Sequence, residues 1–177
     1  MTAEFSRTYR LDTLGTAPRA LSIGANEEER HALARRFDLL GISRLAAEAT
    51  LARSGEAVVA TGHLSAAVTQ SCIATDEPVP ATVEEDFRIE FRPHPEGGGG
   101  DEEVELSGGE LDVVFYDGAL VDLGEAVAET LSLALDPFPR SANADAALRE
   151  AGVKSEEEAR EESSPFAALK ALKDKLG

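Results

Sequence analysis

The chain has 177 residues, with 17 basic and 34 acidic side chains and a formal net charge of -17 at pH 7. That length fits one domain, with or without a tail. The acidic surplus excludes a wide basic face tracking a phosphate backbone, while leaving room for a small basic patch.

Residues 4–11 read as a strand, since Phe5, Thr8 and Tyr9 favour extended backbone. Asn26 opens a helix over 26–40: its side chain can cap a free N–H, Glu29 lies three positions on, and Gly41 stops the run. Leu33, Phe37 and Leu40 recur on that helix at helical spacing. Strands are expected at 42–53 and 56–72, joined by a turn at Ser54 and Gly55, with Gly62 marking a bulge or bend. A turn at 76–80 leads to a strand over 81–93. There Val83, Phe87, Ile89 and Phe91 alternate with Glu84, Asp86, Arg88, Glu90 and Arg92, the pattern of a half-buried strand.

Residues 94–109 form a glycine-rich loop with few apolar groups to offset the entropy of ordering, so it is expected to be mobile. Strand 111–116, a turn at Asp117 and Gly118, and a short return over 119–123 follow. A helix over 124–135 carries Val127, Leu131 and Leu135 on one stripe and breaks at Pro137. Residues 140–163 read as an acidic linker. In the last segment Ser164 and Pro165 suit a helix start, and Phe166, Leu169, Leu172 and Leu176 make an apolar stripe. That helix either closes the protein's own core or binds a partner.

Charge is divided unevenly along the chain. Residues 1–93 hold ten arginines and 14 acidic residues, whereas 94–177 hold seven basic and 20 acidic residues. Arg88 and Arg92 could bind RNA from the polar face of their strand, but the carboxylates between them cancel that charge. No phosphate loop, nucleophile elbow, zincin helix or dinucleotide fingerprint is present. The lone cysteine, Cys72, excludes an internal disulfide and a multi-cysteine zinc site within one chain. It reads as a small buried hydrophobe rather than a nucleophile: His63, nine positions upstream in the same strand, cannot reach it. His94, at the mouth of the glycine loop, lacks partner ligands at metal-site spacing. These residues give no catalytic, cofactor or metal site. No run approaches the roughly 20 apolar residues of a membrane span, and the start lacks a secretory signal, so a cytoplasmic protein is expected.

Three blocks together resemble the YceD-like family, the large ribosomal RNA subunit accumulation proteins. The first runs from Gly62, His63 and Leu64 through Val68–Cys72 to Pro78 and Val79. The second runs from Gly109–Asp112 through Asp122, Leu123 and Gly124 to Leu133, Ala134, Leu135, Pro137 and Pro139. The third is Ser164, Pro165, Phe166, Ala167, Ala168 and Leu169 to Lys173. Where the family pattern has Cys-x-x-Cys, this chain has Cys72 and Thr75; a hydroxyl cannot replace a thiolate ligand, so no metal role is carried over.

The expected fold is α+β: a curved antiparallel sheet or partial β-barrel with two packed helices and a C-terminal amphipathic helix. Residues 1–139 would form the core domain, 140–163 the linker and 164–177 the helix. The resemblance implies a cytoplasmic, non-enzymatic factor for large-subunit ribosomal RNA accumulation and ribosome assembly, without a cofactor. The charge adds a basic ribosomal protein or large-subunit assembly intermediate as partner, and no membrane. The alternative is direct ribosomal RNA binding through the arginine-bearing sheet face.

Overall fold

The structure, a computed structural model, describes residues 3–94, 112–154 and 160. Most of the glycine-rich segment and the whole of the expected C-terminal helix, with Pro165, Phe166 and Leu169, lie outside the described residues. The chain divides into two compact units, Met1–Gln70 with Pro78–Pro137, and Ser71–Glu77 with Phe138–Gly177.

The first unit is α+β. Its main sheet has five strands in the order β2-β3-β4-β5-β6: β2 is Arg19–Gly24, β3 Gly41–Ser54, β4 Ala57–Ser71, β5 Pro78–Pro93 and β6 Asp112–Tyr116. β3 and β4 form a long antiparallel hairpin that turns at Gly55, where φ is +64°. Glycine reaches that region without a Cβ clash. Leu45, Ala47, Ala49 and Leu51 of β3 share one buried face with Ala60, Leu64, Ala66 and Val68 of β4. Phe87, Ile89 and Phe91 of β5 extend that core, as the alternation predicts.

Several expectations are corrected. The sheet is mixed rather than wholly antiparallel, because β6 runs parallel to β5, from Ile89↔Asp112 to Pro93↔Tyr116; it is open, as a curved sheet or partial barrel would be. The Asp117–Gly118 turn therefore does not join a paired hairpin. β7, Leu120–Asp122, pairs instead with β1, Thr8–Arg10, in a separate two-stranded sheet. A turn signal sets a local reversal, but burial of Val121 and Leu123 sets which strand receives the return. The first strand is shorter than read, giving way to a 3-10 turn at Leu11–Thr13. β2 is an additional strand, with Leu21 and Ile23 opposite Ala49 and Ala47. β5 begins at Pro78; Pro78 and Pro80 are two apart, so their missing donors fall on the same edge. The ladder shifts register between Ile42 and Arg44, not at Gly62.

Helix α1, Glu27–Arg36, starts in the predicted capping box: Asn26 Oδ1 accepts from Glu29 N–H at 3.0 Å and Glu29 Oε2 accepts from Asn26 N–H at 2.8 Å. It ends earlier than Leu40. Asp38 turns left-handed at φ +54°, and Leu40 N–H donates to the Thr69 carbonyl at 2.9 Å, steering the chain into β3. Helix α2, Leu123–Ala134, buries Val127 and Leu131. α1 packs on β3, and α2 on β5 and β1. In the second unit, Ala144–Glu150 of the segment read as linker forms a short helix, α3. No helix among the described residues is long and apolar enough to cross a membrane.

Candidate functional site

The sequence-selected residues fall into three local environments. The first is the start of α2. Asp122 Oδ1 accepts from Gly124 N–H at 3.0 Å, Glu125 N–H at 3.2 Å and Arg7 N–H at 2.8 Å, while Oδ2 accepts from the Ser6 hydroxyl. One carboxylate thus caps the helix and fastens the N-terminal segment beside it. Leu123 is fully buried, and its N–H donates to the Arg7 carbonyl at 3.0 Å. Gly124 follows because a Cβ there would lie 2.6 Å from the Phe5 carbonyl oxygen and 2.8 Å from Arg7 N. Arg7 also grips both carboxylate oxygens of Glu29, at 2.7 and 2.9 Å, and holds that carboxyl below its usual range. These contacts assign Asp122 and Leu123 to folding. Pro137, after α2, is exposed.

The second environment is a polar knot in the other unit, where Cys72 opens a turn after β4. Its N–H donates to the Glu77 carbonyl at 2.8 Å and its carbonyl accepts from Asp76 N–H at 3.0 Å. The thiol is 1% exposed, and Sγ accepts the Ser141 N–H at 3.2 Å. That N–H, followed by the Thr75 hydroxyl, lowers the thiol pKa to about 6. Thr75 Oγ1 donates to Glu77 Oε2 at 3.1 Å and lies 3.1 Å from Ser141 Oγ; Asn143 Nδ2 donates to Glu77 Oε1 at 3.0 Å. Hydrogen bonds from Ser141, Asn143 and Thr75 lower the Glu77 pKa. Pro139 is buried here, and its carbonyl accepts from Ile73 N–H at 3.0 Å. Cys72 and Thr75, three positions apart, and the sequence-distant Pro139 therefore belong to one tie between a turn and the segment before α3. Burial keeps the thiol from external electrophiles despite its lowered pKa. No group of three or more His, Cys, Asp or Glu residues among those described is arranged to hold a metal ion.

The third environment is the outer face of the main sheet. Arg88 is exposed there, and Arg92 donates to Glu90 at 2.9 Å, so the stripe is internally compensated, as its sequence implies. The more connected group is one the sequence reading did not assemble. His63 Nδ1 lies 2.7 Å from Asp86 Oδ1 and Nε2 lies 2.9 Å from Glu84 Oε2. The Ser65 hydroxyl donates to Glu84 Oε1 at 2.6 Å and accepts from Arg44 at 2.8 Å. Hydrogen bonds accepted by Glu84 and then Asp86 raise the His63 pKa above its ordinary value. Glu84 and Asp86 contact the imidazole, and Glu48, the exposed cross-strand neighbour of His63, adds a third carboxylate to the same open face. The available signal was the outward parity of His63, Glu84 and Asp86; their strands' register was not legible. His94 stacks on Phe115 with ring centroids 5.2 Å apart and lies 3.9 Å from Asp117.

A protein-family model described as "Large ribosomal RNA subunit accumulation protein YceD" matches residues 60–173. No curated protein and no solved structure matches the chain.

Proposed function

From the premise that the chain belongs to the YceD family, we propose a non-enzymatic cytoplasmic factor that promotes large-subunit ribosomal RNA accumulation by holding a basic ribosomal protein or assembly intermediate. The family match over residues 60–173 carries the ribosomal part of this reading. The net charge of -17 supports the basic partner, because opposite charge speeds encounter and favours the correct pairing. On the folded part, Glu48, Glu84 and Asp86 around His63 offer carboxylates on an open sheet face.

Affinity purification of the tagged chain at moderate salt should recover a basic large-subunit protein or a precursor particle, released as salt rises. Loss of the gene should lower the ratio of large- to small-subunit ribosomal RNA. An unchanged ratio would refute the ribosomal reading. An unchanged set of co-purifying proteins after Glu48, Glu84 and Asp86 are replaced by Gln would refute the acidic-face contact.

A further inference from the structure

We infer that the groove between α1 and the start of β3 is a binding site for one nucleotide of single-stranded RNA. It lies within the first unit and has a volume of about 370 Å³. That is within the range of roughly 300–1,000 Å³ typical of small-ligand sites. His31 and Arg35 stand on one side, four residues apart and therefore on one face of α1. Leu39 and Leu40 supply apolar surface, and Ser43 and Thr69 bring hydroxyl groups. No carboxylate lines the groove.

Two features coincide at this place. First, its cations are uncommitted. Arg7, Arg36 and Arg92 are each held by carboxylates, whereas Arg35 and His31 are exposed and have no ion-pair or hydrogen-bond partner among the described residues. On a chain of net charge -17, a concavity whose ionisable lining groups, His31 and Arg35, are both basic favours an anion. Second, the groove contains the register shift of β3. Ile42 pairs with Val68 and Arg44 with Ala67, so Ser43 is the extra residue outside the ladder. A bulge of this kind re-aims side chains at a strand end. Leu40 is 58% exposed at the rim, where an aqueous surface gains from a flat apolar cover.

A nucleotide satisfies both features. Its phosphate faces Arg35 and His31, its base covers Leu39 and Leu40, the Thr69 hydroxyl is a partner for base edges or the ribose 2′-OH, and the Ser43 hydroxyl, which donates to the Ala67 carbonyl at 3.2 Å, offers its acceptor lone pairs. The acidic surface elsewhere limits the footprint to one or two phosphates and so favours a strand end or loop over a duplex. This inference adds a nucleic-acid contact to the family reading and moves it away from the compensated Arg88–Arg92 stripe.

The test uses the full chain and a labelled decauridylate strand. At low salt, RNA should shift the amide resonances of His31, Arg35, Leu40, Ser43 and Thr69. The logarithm of affinity should fall with the logarithm of salt with a slope of about -0.7 per phosphate engaged. Arg35→Glu should weaken binding about tenfold or more, as expected for loss of a charged hydrogen bond. It should lower the melting temperature by at most about 4 °C, because Arg35 makes no ion pair or hydrogen bond among the described residues and loses only its favourable place in the last turn of α1. Arg88→Glu adds the same charge elsewhere and should change affinity less than twofold. Unmoved groove resonances, or equal losses from the two variants, would overturn the inference. Groove shifts with a Leu–Asp peptide but not with RNA would assign a protein ligand and also overturn it. In cells lacking the gene, full restoration of the ribosomal RNA ratio by Arg35→Glu would refute the groove while leaving the family reading intact. Failure of gene loss to alter that ratio would refute the family reading instead.

Discussion

Replacing Gly62 with alanine probes the tightest point of the main sheet. Gly62 lies on β4 opposite Ala49, in a ladder without a register shift at that point. An added Cβ would overlap the Glu48 carbonyl oxygen, lie 2.7 Å from Phe87 Cζ and lie 2.9 Å from Ala49 Cα. Carbon atoms rest about 3.5–4 Å apart, so each of the two carbon contacts is short by about 0.6 Å or more. The Phe87 ring could swing aside; two of the three obstacles are β3 backbone and can retreat only by parting the strands. Overpacking that side chains can absorb costs about 1–3 kcal/mol, so Gly62→Ala should cost about 3 kcal/mol or more. For a chain of this size that lowers the melting temperature by about 6–12 °C, measured by circular dichroism. Adding Phe87→Leu should not restore stability, since the carbonyl remains. Gly41→Ala is the matched control: a Cβ there meets nothing within 4 Å and should change stability by less than about 0.5 kcal/mol. A Gly62→Ala protein melting within about 2 °C of wild type would refute the close-approach argument.

Asp122→Ala removes the α2 cap and strands the Arg7 N–H, and should cost about 2–4 kcal/mol in urea unfolding, with Asp122→Asn retaining more than half of the difference. The His63 ring should titrate above its ordinary value by NMR, and Glu84→Gln should bring the midpoint down; because the folded pKa is raised, its stabilising contribution is complete below the unfolded pKa and disappears as pH rises through the folded one. Thiolate absorbance should titrate near pH 6 in the wild-type chain and be absent from Cys72→Ser, while iodoacetamide labels the folded thiol far more slowly than the unfolded one. Since the Cys72 pKa is depressed, its contribution is present above the unfolded thiol pKa and is lost as pH falls through about 6.

Asn26 and Glu29 were legible as a helix start because a capping box is a contact among near neighbours. Phe87, Ile89 and Phe91 were legible as a buried strand face because alternation is a local property of extended backbone. The family resemblance likewise came from ordered short blocks, and the matching model covers them. The return strand was misassigned because the Asp117–Gly118 signal specifies a reversal, while its pairing with Thr8–Arg10 depends on residues more than a hundred positions away. Cys72 is recognisable as buried, yet its partner Ser141 lies 69 positions downstream, and the hydrogen bond that lowers its pKa is a product of folding.

By itself the sequence determined the α+β class, the helix cap, the core-facing parity of β5 and the unequal distribution of charge, all readable over short windows of chain. Only the tertiary structure decided that Arg7 and Arg36 were consumed by carboxylates distant in sequence while Arg35 was left facing a groove. An arginine's neighbours across a fold depend on strand register and helix packing, and neither is encoded in its local sequence.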